Sequence, residues 1–472
     1  MSQQFLLSFK ADVSLIESEA KGHLVLRSPN HSLTFKQAQL GLKTALRTLA
    51  DGGATLAELN QMIQQDDGEL PLLRFYTHLQ RFSNVGWLCH SVLDEGRAIA
   101  IAIPLTSDYQ FPQIEIAVES KYRLSRFAYG HQAEGQLLLE SPLSQTQVQL
   151  LDWKGAALFS LLATPQSCDQ VAKAIPGISL ETVKQFVKLL LGAQMVSEVG
   201  EEGTIPEQTN PALAQWEFHD LLFHSRSRQG RHANSFGGTY RFSGKIEPLP
   251  AVKSPVSAEG IELPTPDLET LKTTEASFTQ VLETRKSIRK YGEIPISAQQ
   301  LGEFLYRCAR VKQLLQTEYG EITLRPYPSG GALYELELYP IVSNCAGIAA
   351  GLYHYQPLTH QLCRISSRTQ PVELLLDDAR KAMGQQAIPQ VLLVIAARFQ
   401  RLTWKYESMA YALMLKHVGV LYQTMYLVAT AMKLAPCSLG CGNSDLFTQA
   451  IGNDYYAETS VGEFVLGSQP NT

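Results

Sequence analysis

Three side chains in the sequence Arg-Lys-Ser-Ile-Arg, residues 285–289, could bind one ligand together. In an extended segment alternate side chains point to the same side, so Arg285, Ser287 and Arg289 would face one ligand. Two guanidinium groups beside a hydroxyl suit a flat, anionic ligand with many hydrogen-bonding atoms. The triplet therefore favours a cofactor of the flavin type, and the alternative is ordinary surface charge near a helix end.

A glycine pair stands shortly before a strand predicted over 335–342. Ser329 precedes Gly330 and Gly331 there, and glycine has no Cβ, so the backbone could approach a ligand closely. We expect this segment to contact the edge of a flat cofactor. The alternative is an ordinary tight turn.

A lysine–tyrosine pair, Lys405 and Tyr406, lies between a buried strand predicted over 391–397 and a long helix predicted over 408–433. Sheets flanked by helices tend to place reactive groups at such a strand end. After the helix, the Ser-Leu-Gly sequence at 438–440 could direct backbone N–H groups at a flat ring. The second half of the chain is thus predicted to carry the chemistry.

The first half of the chain contains a repeat, because Gly22–Pro29 reappears as Gly135–Pro142 with an offset of 113 residues. A repeat of this size indicates two complete small domains rather than a solenoid. Each copy predicts a strand, three helices and a closing β-hairpin, which is a winged-helix layout. The matching segments are 24–26 and 137–139, 37–49 and 156–162, Thr55–Leu59 and Cys168–Ala172, 72–82 and 180–191, and 96–105 and 195–204.

Winged helices often bind DNA, but the basic residues on the third helices are few. The first copy offers Arg74 and Arg81 and the second offers Lys184 and Lys188, on a chain whose formal net charge is -5. A winged helix can instead take a peptide as an added strand on its small sheet. We expect a peptide partner and no nucleic acid, with a purely structural role as the other alternative.

A proline-rich segment over 206–277 is predicted to be a linker, since proline interrupts regular elements. It contains a helix candidate with apolar spacing at Phe218 and Leu221 that ends in a basic cluster. This helix would pack between domains, or one of its arginines would reach the cofactor or substrate. The predicted domains are 1–112, 113–205, the linker 206–277, and 278–472; the arginines are Arg226, Arg228 and Arg231.

The overall composition limits these hypotheses. The chain has 472 residues, 45% hydrophobic and 18% charged, which is typical of a globular protein with roughly three domains. The first residues lack a signal-peptide pattern, and the apolar runs are too short to span a membrane. The spacing of Cys437 and Cys441 fits no metal framework, so we expect free thiols, no metal and a cytoplasmic location.

The motifs stand in the order found in FMN-dependent nitroreductase-fold proteins, which the chain resembles. More narrowly, it resembles the azoline oxidases of peptide-modifying clusters (SagB/McbC-type dehydrogenases). The two repeats are similar to the peptide-clamp domains of cyanobactin thiazoline/oxazoline oxidases. The motifs that carry the resemblance are Arg285-x-Ser287-x-Arg289-x-Tyr291, Pro328-Ser-Gly-Gly-Ala-Leu-Tyr334, Lys405-Tyr406 and Leu439-Gly440.

The resemblance implies an α+β fold, with a nitroreductase-like FMN domain behind two winged-helix-like repeats. It implies a homodimeric oxidase that converts thiazoline or oxazoline rings of a precursor peptide to thiazoles or oxazoles and passes electrons to dioxygen. Lys405 would be the base and Tyr406 its partner. The implied FMN contacts are Arg285, Ser287, Arg289, Ser329, Gly330, Gly331, Gln423, Ser438, Leu439 and Gly440.

Two alternatives and one departure accompany the resemblance. The alternatives are an NAD(P)H-dependent nitro or quinone reductase of the same fold and a flavin-linked DNA-binding regulator. The departure is that no Lys or Arg follows Lys433, whereas many proteins of this fold have a late basic residue near the flavin phosphate. Arg285 and Arg289, or a basic linker residue, would have to carry that charge.

Overall fold

The computed structural model describes residues 5–18, 23–107, 109–257 and 260–470. Gly22, the first residue of the repeated octamer, lies outside them. The chain divides into two compact units, of which the first ends at Asn234 and the second begins at Ser235. This boundary falls inside the segment that the sequence predicts to be a linker.

The first repeat follows the predicted order of strands and helices. Its elements are β1 (Leu6–Phe9), β2 (Ser14–Ser18), β3 (His23–Arg27), β4 (Ser32–Phe35), α1 (Leu40–Ala50), β5 (Ala54–Thr55), α2 (Leu56–Asp67), α3 (Pro71–Asn84), β6 (Leu88–Asp94) and β7 (Arg97–Pro104). Strands β6 and β7 form the predicted hairpin, called the wing below.

The second repeat has the same elements except for the second wing strand. They are β8 (Lys121–Leu124), β9 (Tyr129–Ala133), β10 (Gln136–Glu140), β11 (Thr146–Leu150), α4 (Trp153–Leu161), β12 (Gln166–Ser167), α5 (Cys168–Ala174), α6 (Leu180–Gly192) and β13 (Val196–Glu198). Where a closing hairpin is predicted, the chain turns after β13, and the Gly200 N–H donates to the carbonyl of Thr204.

Both copies start their second helix with a capping box. Thr55 and Glu58 satisfy each other's backbone N–H groups at the start of α2, and Ser167 and Gln170 do the same at α5. The structure therefore pairs Thr55 with Ser167, one residue before the Cys168 that the sequence alignment paired with it. The reason is that an N-cap needs a side-chain oxygen that accepts from the first helical turn.

The sheets of the first unit join the two repeats. A seven-stranded sheet has the order β5-β1-β6-β7-β11-β10-β9, so the wing of the first repeat continues into strands of the second. Two three-stranded sheets, β2-β3-β4 and β12-β8-β13, complete the unit. Each repeat has its own apolar core, and the core of the second includes Val92, Ile99 and Ala102 from the wing.

Two short helices, α7 (Pro206–Thr209) and α8 (Phe218–Arg226), close the first unit. The edge of the Phe218 ring packs on Tyr129, with the ring centroids 5.8 Å apart. Arg226 forms a 3.1 Å ion pair with Glu140, and Arg231 donates to the carbonyl of Leu143. These two arginines thus bind the second repeat, which favours the packing role predicted for this helix.

The second unit is built on a seven-stranded antiparallel sheet with the order β15-β20-β19-β18-β21-β24-β23. Its elements are β14 (Gly237–Gly238), β15 (Gly260–Glu262), α9 (Leu268–Thr274), α10 (Phe278–Thr284), α11 (Ala298–Ala309), β16 (Gln313–Thr317), β17 (Gly320–Leu324), β18 (Leu336–Val342), β19 (Gly351–Gln356), β20 (Gln361–Ser366), α12 (Gln370–Ala382), β21 (Val391–Arg398), α13 (Phe399–Thr403), β22 (Tyr406–Glu407), α14 (Ala410–Ala431), β23 (Leu434–Leu439), α15 (Ser444–Ile451) and β24 (Glu458–Ser468).

Helices cover both faces of this sheet. Alternate residues of β21 face opposite sides, so Leu393 and Ile395 join the core beneath α11 and α14, while Leu392 and Val394 join the core beneath α12 and α15. The predicted α+β class is confirmed. In the described part of the chain, no helix combines the length and hydropathy needed to cross a bilayer.

Candidate active site

Lys405 and Tyr406 lie where the sequence places them, between β21 and α14. Tyr406 belongs to the short strand β22, which pairs with β14 so that Gly238 lies opposite Tyr406. The Tyr240 N–H donates to the carbonyl of Lys405 at 3.1 Å. The Lys405 ammonium nitrogen lies 5.1 Å from the centre of the Tyr240 ring and 5.4 Å from that of Tyr406.

The predicted glycine pair meets the lysine–tyrosine pair. Gly331 has a φ of 62°, which favours glycine, and a Cβ built on it would lie 2.7 Å from Lys405 Nζ and 3.0 Å from the Tyr406 hydroxyl. No side chain fits there without displacing one of the two groups. The amine and the hydroxyl therefore converge on one backbone position that only glycine can occupy unstrained.

A buried histidine and glutamate hold the neighbouring glycine. The Gly330 N–H donates to His417 Nε2 at 2.8 Å, and His417 Nδ1 lies 2.7 Å from a carboxylate oxygen of Glu335. Because an amide N–H can only donate, Nε2 accepts and Nδ1 carries the proton. This Gly330 N–H is thus already used, so any contact of Gly330 with a cofactor must involve other atoms.

Ser329 forms hydrogen bonds within the same loop. Its hydroxyl oxygen accepts from the Tyr334 N–H at 3.1 Å and lies 3.5 Å from Glu335. Sequence reasoning missed both Glu335 and His417. The available signal was a charged residue at the start of a mostly apolar strand and a histidine in a mostly apolar helix, since buried polar groups of this kind need partners.

A cavity of about 250 Å³ opens beside Lys405. Aromatic rings form part of its wall: Tyr240 stacks on Tyr319 with centroids 4.2 Å apart, and Trp404 meets Tyr240 edge to face. The Trp404 indole N–H donates to the carbonyl of Ile246 at 2.6 Å, which fixes its ring. The cavity, called the Lys405 cavity below, is lined by Tyr240, Pro248, Leu249, Thr317, Tyr319, Ile322, Gly331, Leu333, Gln400, Arg401, Trp404 and Lys405.

Arg401 ties the segments around this cavity together. Its guanidinium donates to the backbone carbonyls of Leu249, Glu321 and Leu333. Burial lowers the pKa of Arg401 to about 10, and the positive charge of Arg398 nearby acts in the same direction. Three segments distant in sequence are thereby held in one arrangement around Lys405.

The Arg-Ser-Arg triplet contacts α14 at a second position, through Tyr426. The hydroxyls of Ser287 and Tyr426 are 2.8 Å apart, and the Ser438 N–H donates to the same tyrosine oxygen at 2.8 Å. The Arg285 guanidinium lies 5.2 Å from the centre of the Tyr426 ring. The structure thus brings Arg285 and Ser287 together with Ser438 through Tyr426, a residue that sequence reasoning missed. Arg289 is exposed.

The two clusters share one helix. His417 and Tyr426 both belong to α14, and the rise of roughly 1.5 Å per residue separates them by about 13 Å along its axis. One end offers a lysine, a tyrosine and a glycine without Cβ, and the other offers a guanidinium, hydroxyls and a Ser-Leu-Gly backbone. This arrangement fits a cofactor with a ring system at one end and a phosphate at the other. Gln423 is exposed on the same helix.

A buried carboxyl group lies next to the predicted ring contact. Glu463 on β24 is the sheet partner of Leu439 on β23. Burial raises the pKa of Glu463 to about 7, although a hydrogen bond from Ser460 opposes the shift. In the described part of the chain, no groups of three or more potential ligand residues could hold a metal ion.

Comparison with protein families matches three parts of the chain. Residues 282–467 match the nitroreductase family, residues 122–233 match the family described as cyanobactin oxidase ThcOx, and residues 1–113 match the ThcOx helix turn helix domain. The second unit thus contains the nitroreductase match, and the first unit contains the two cyanobactin oxidase matches.

Three relatives are similar to parts of the chain. A nitroreductase, MJ1384 of Methanocaldococcus jannaschii, is 31% identical over 180 residues, which cover 38% of this chain and 84% of the relative. The microcin B17-processing protein McbC of Escherichia coli is 34% identical over 23% of this chain and 42% of its own. The trifolitoxin-processing protein TfxB of Rhizobium leguminosarum is 25% identical over 35% and 45%.

The chain thus spans less than half the length of the two processing proteins and most of the length of the archaeal nitroreductase. The matches confirm a nitroreductase-like domain behind an N-terminal helix-turn-helix domain, and they confirm the prediction of an oxidoreductase. The chain belongs to the nitroreductase superfamily, as an oxidoreductase that carries the domains of the cyanobactin oxidases.

Proposed function

We propose that this protein oxidises thiazoline or oxazoline rings in a ribosomally made precursor peptide to thiazoles or oxazoles, with FMN as cofactor. The names of McbC and TfxB, which process microcin B17 and trifolitoxin, support a peptide substrate. The observation that carries the proposal is the convergence of Lys405 Nζ and the Tyr406 hydroxyl on Gly331, at the wall of an aromatic-lined cavity.

Lys405 is proposed as the base. The ring Cα–H of an azoline is acidic because the adjacent imine and carbonyl stabilise the charge left behind. Among the described residues no carboxylate forms an ion pair with Lys405, and the neighbouring Glu407 pairs with Arg241 instead. The Tyr406 hydroxyl, close to the same glycine, can hold or return the proton.

FMN would accept the hydride that leaves the ring Cβ. Arg285, Ser287 and Arg289 are proposed to bind its phosphate, because a half-buried guanidinium and a hydroxyl already lie together there. Ser438, Leu439 and Gly440 are proposed to contact the cofactor at the Tyr426 end of the site, while Ser329, Gly330 and Gly331 bound the edge of its ring system near Lys405.

The proposal includes a homodimer in the cytoplasm with dioxygen as the electron acceptor. Gln423 is exposed on α14 and would reach the flavin of the second subunit. With no Lys or Arg after Lys433, Arg285 and Arg289 carry most of the charge that faces the phosphate.

The test is a peptide assay with purified protein. The visible spectrum of the purified chain should show bound flavin, and a peptide that contains an azoline ring should lose the mass of two hydrogen atoms per ring. Protein that binds no flavin, or peptide whose mass does not change in the presence of FMN and air, would refute the proposal.

A nitro or quinone reductase is the second candidate, since the archaeal relative is named a nitroreductase. This function requires rapid reduction of the flavin by NADH or NADPH, which stopped-flow absorbance measures directly. If NAD(P)H reduces the flavin quickly while azoline peptides stay unchanged, the second candidate replaces the first.

A further inference from the structure

The hydrogen bonds at the ends of the third helices, α3 and α6, align the sequences of the two repeats. At the end of α3 the Val85 N–H donates to Arg81, and at the end of α6 the Ala193 N–H donates to Leu189. The following bond pairs, Trp87 to Phe82 and Met195 to Leu190, show the same offset of 108 residues (193 minus 85). On this alignment Arg74 corresponds to Thr182, and His78 corresponds to Phe186.

The small sheets of the repeats differ at one edge. Strand β4 pairs with β3 through Leu24 and Phe35, and its counterpart β11 pairs with β10 through Leu137 and Leu150. The other edge of β11 pairs antiparallel with β7 of the wing. The other edge of β4 pairs with no strand among the described residues.

The third helices differ in how far the side chains next to these edges are buried. On α6, Thr182, Val183 and Phe186 are buried, and the Thr182 hydroxyl donates to Asp94 of the wing at 3.2 Å. On α3, Arg74 is exposed and His78 is only half-buried. The wing of the first repeat therefore fills the cleft between β11 and α6, while the matching cleft between β4 and α3 stays open.

The open cleft is a cavity of about 400 Å³, called the first groove below. Phe35, Ile63 and Phe75 are its buried residues, and its charged residues are Lys36 and Arg74, with no Asp or Glu in the lining. His78 Nδ1 is buried without a hydrogen-bond partner among the described residues. The lining is Thr34, Phe35, Lys36, Gln37, Ala38, Gln39, Leu42, Ile63, Pro71, Arg74, Phe75 and His78.

The second repeat shows what kind of segment fills such a cleft. It is an antiparallel strand with small residues, Ala100 and Ala102, opposite Leu150 and Val148. Next to it, Asp94 reaches the helix position that corresponds to Arg74. An extended segment with an acidic side chain would make the same contacts in the first groove, where the helix carries a cation.

We propose that the first repeat alone binds the precursor peptide, as an antiparallel strand added to β4 with an acidic residue facing Arg74. The second repeat binds no peptide because the wing already occupies its cleft. This inference rests on the proposed peptide substrate and assigns its docking site to one of two similar domains.

Hydrogen exchange of the full chain locates the docking site. The probe is the linear precursor, without azoline rings, of a peptide that the protein oxidises. The β4 amides that face the open edge should exchange fast in the free protein and become protected when the peptide is added. Those of β11 and α6 should be protected with or without it. New protection in β11 and α6, or no change anywhere at saturating peptide, would overturn the proposal.

Charge reversal tests the acidic contact. Arg74→Glu should raise the Kd for the fluorescently labelled precursor at least about tenfold, and Arg74→Lys should restore most of the affinity. Lys188→Glu, a charge reversal at another position on the third helix of the second repeat, should leave the Kd unchanged. The proposal fails if Arg74→Glu binds like the wild type or if Lys188→Glu weakens binding equally.

A short azoline peptide separates the two proposals. It contains no segment that could dock in the first groove, so Arg74→Glu should oxidise it at the wild-type rate. If the wild type does not oxidise this short peptide, the proposed function fails regardless of where the precursor binds. If the wild type oxidises it but exchange in β4 never changes, only the docking site is wrong.

Discussion

The Lys405 cavity and the first groove are both proposed to meet the same peptide, yet they are built in opposite ways. Around Lys405 the backbone is fixed, because Gly330 donates to His417 and Arg401 binds three carbonyls. In the first groove the strand β4 has an open edge, and His78 Nδ1 lacks a hydrogen-bond partner among the described residues. The cavity is complete without its substrate, and the groove is not.

This difference assigns the reaction step to the Lys405 cavity and the recognition of the peptide to the first groove. A site whose groups are held before substrate arrives lowers the barrier of the reaction step. A sheet edge gains its hydrogen bonds only when another chain supplies them, so it contributes to binding. Substitutions around Lys405 should therefore change kcat, and substitutions in the first groove should change KM for long peptides only.

Removal of the proposed base should give the largest effect. Lys405→Ala should lower kcat about a thousandfold, because the proton acceptor is lost, and leave KM and flavin content unchanged. Steady-state oxidation of an azoline peptide and the visible spectrum measure these quantities. Lys416→Ala, an exposed lysine on α14, is the control. Wild-type activity of Lys405→Ala would show that Lys405 is not the base, and the contrast between a reactive cavity and a binding groove would fail.

The pH dependence of stability should reveal the buried Glu463. Its pKa is about 7 in the folded chain against an ordinary 4.5, so the folded state binds more protons between these values. Stability is therefore full below about pH 4.5 and falls as the pH rises through 7, by on the order of 3 kcal/mol.

Glu463→Gln should abolish most of this pH-dependent loss and raise the melting temperature at pH 8 relative to wild type. Calorimetry at pH 5 and pH 8 measures it. The effect should appear in the unfolding of the second unit, since Glu463 lies there. Equal pH dependence in Glu463→Gln and wild type would show that the carboxyl is not the source.

A side chain at Gly331 should slow the reaction about a hundredfold. In Gly331→Ala the new Cβ would displace Lys405 Nζ or the Tyr406 hydroxyl, and the positive φ would be strained. The measurement is kcat with the flavin spectrum as a check on folding. Gly419→Ala, where a Cβ meets nothing within 4 Å, should keep full activity. Equal rates in the two variants would mean that the convergence at Gly331 is unimportant.

Loss of Arg285 should have the smallest effect. Arg285→Ala removes one charged hydrogen-bonding group from the proposed phosphate contact, so the Kd for FMN should rise about tenfold. Titration of the flavin-free protein by fluorescence quenching measures it, and Lys286→Ala, an exposed neighbour, is the control. A larger loss with Lys286→Ala would place the phosphate elsewhere.

Local pattern predicted most of the elements. The buried strand at 391–397 is β21, the long helix at 408–433 is α14, and the repeat reappears in matching strands and helices. These features depend on apolar spacing over a few residues, which a sequence displays directly. The lysine–tyrosine pair and the glycine pair were also found, because each is contiguous in sequence.

Long-range partners could not be predicted. Tyr426 joins Ser287 to Ser438 although it stands 139 residues after the first of them. Tyr240, which lines the Lys405 cavity, comes from the segment expected to be a linker. His417 and Glu335 are 82 residues apart. Such pairs follow from the packing of whole elements, and nothing in the spacing of a single sequence marks them.

The pairing of β7 with β11 makes the order of synthesis matter. The seven-stranded sheet of the first unit cannot form until β11 has been synthesised. Until then β7 is an unpaired edge strand with mostly apolar side chains, and it could pair with other chains. A fragment that stops near residue 113 would keep that edge permanently, and a fragment that starts there would expose Phe186 and Val183. Although each repeat resembles a separate domain, we therefore expect the two repeats to fold and remain stable only when both are present.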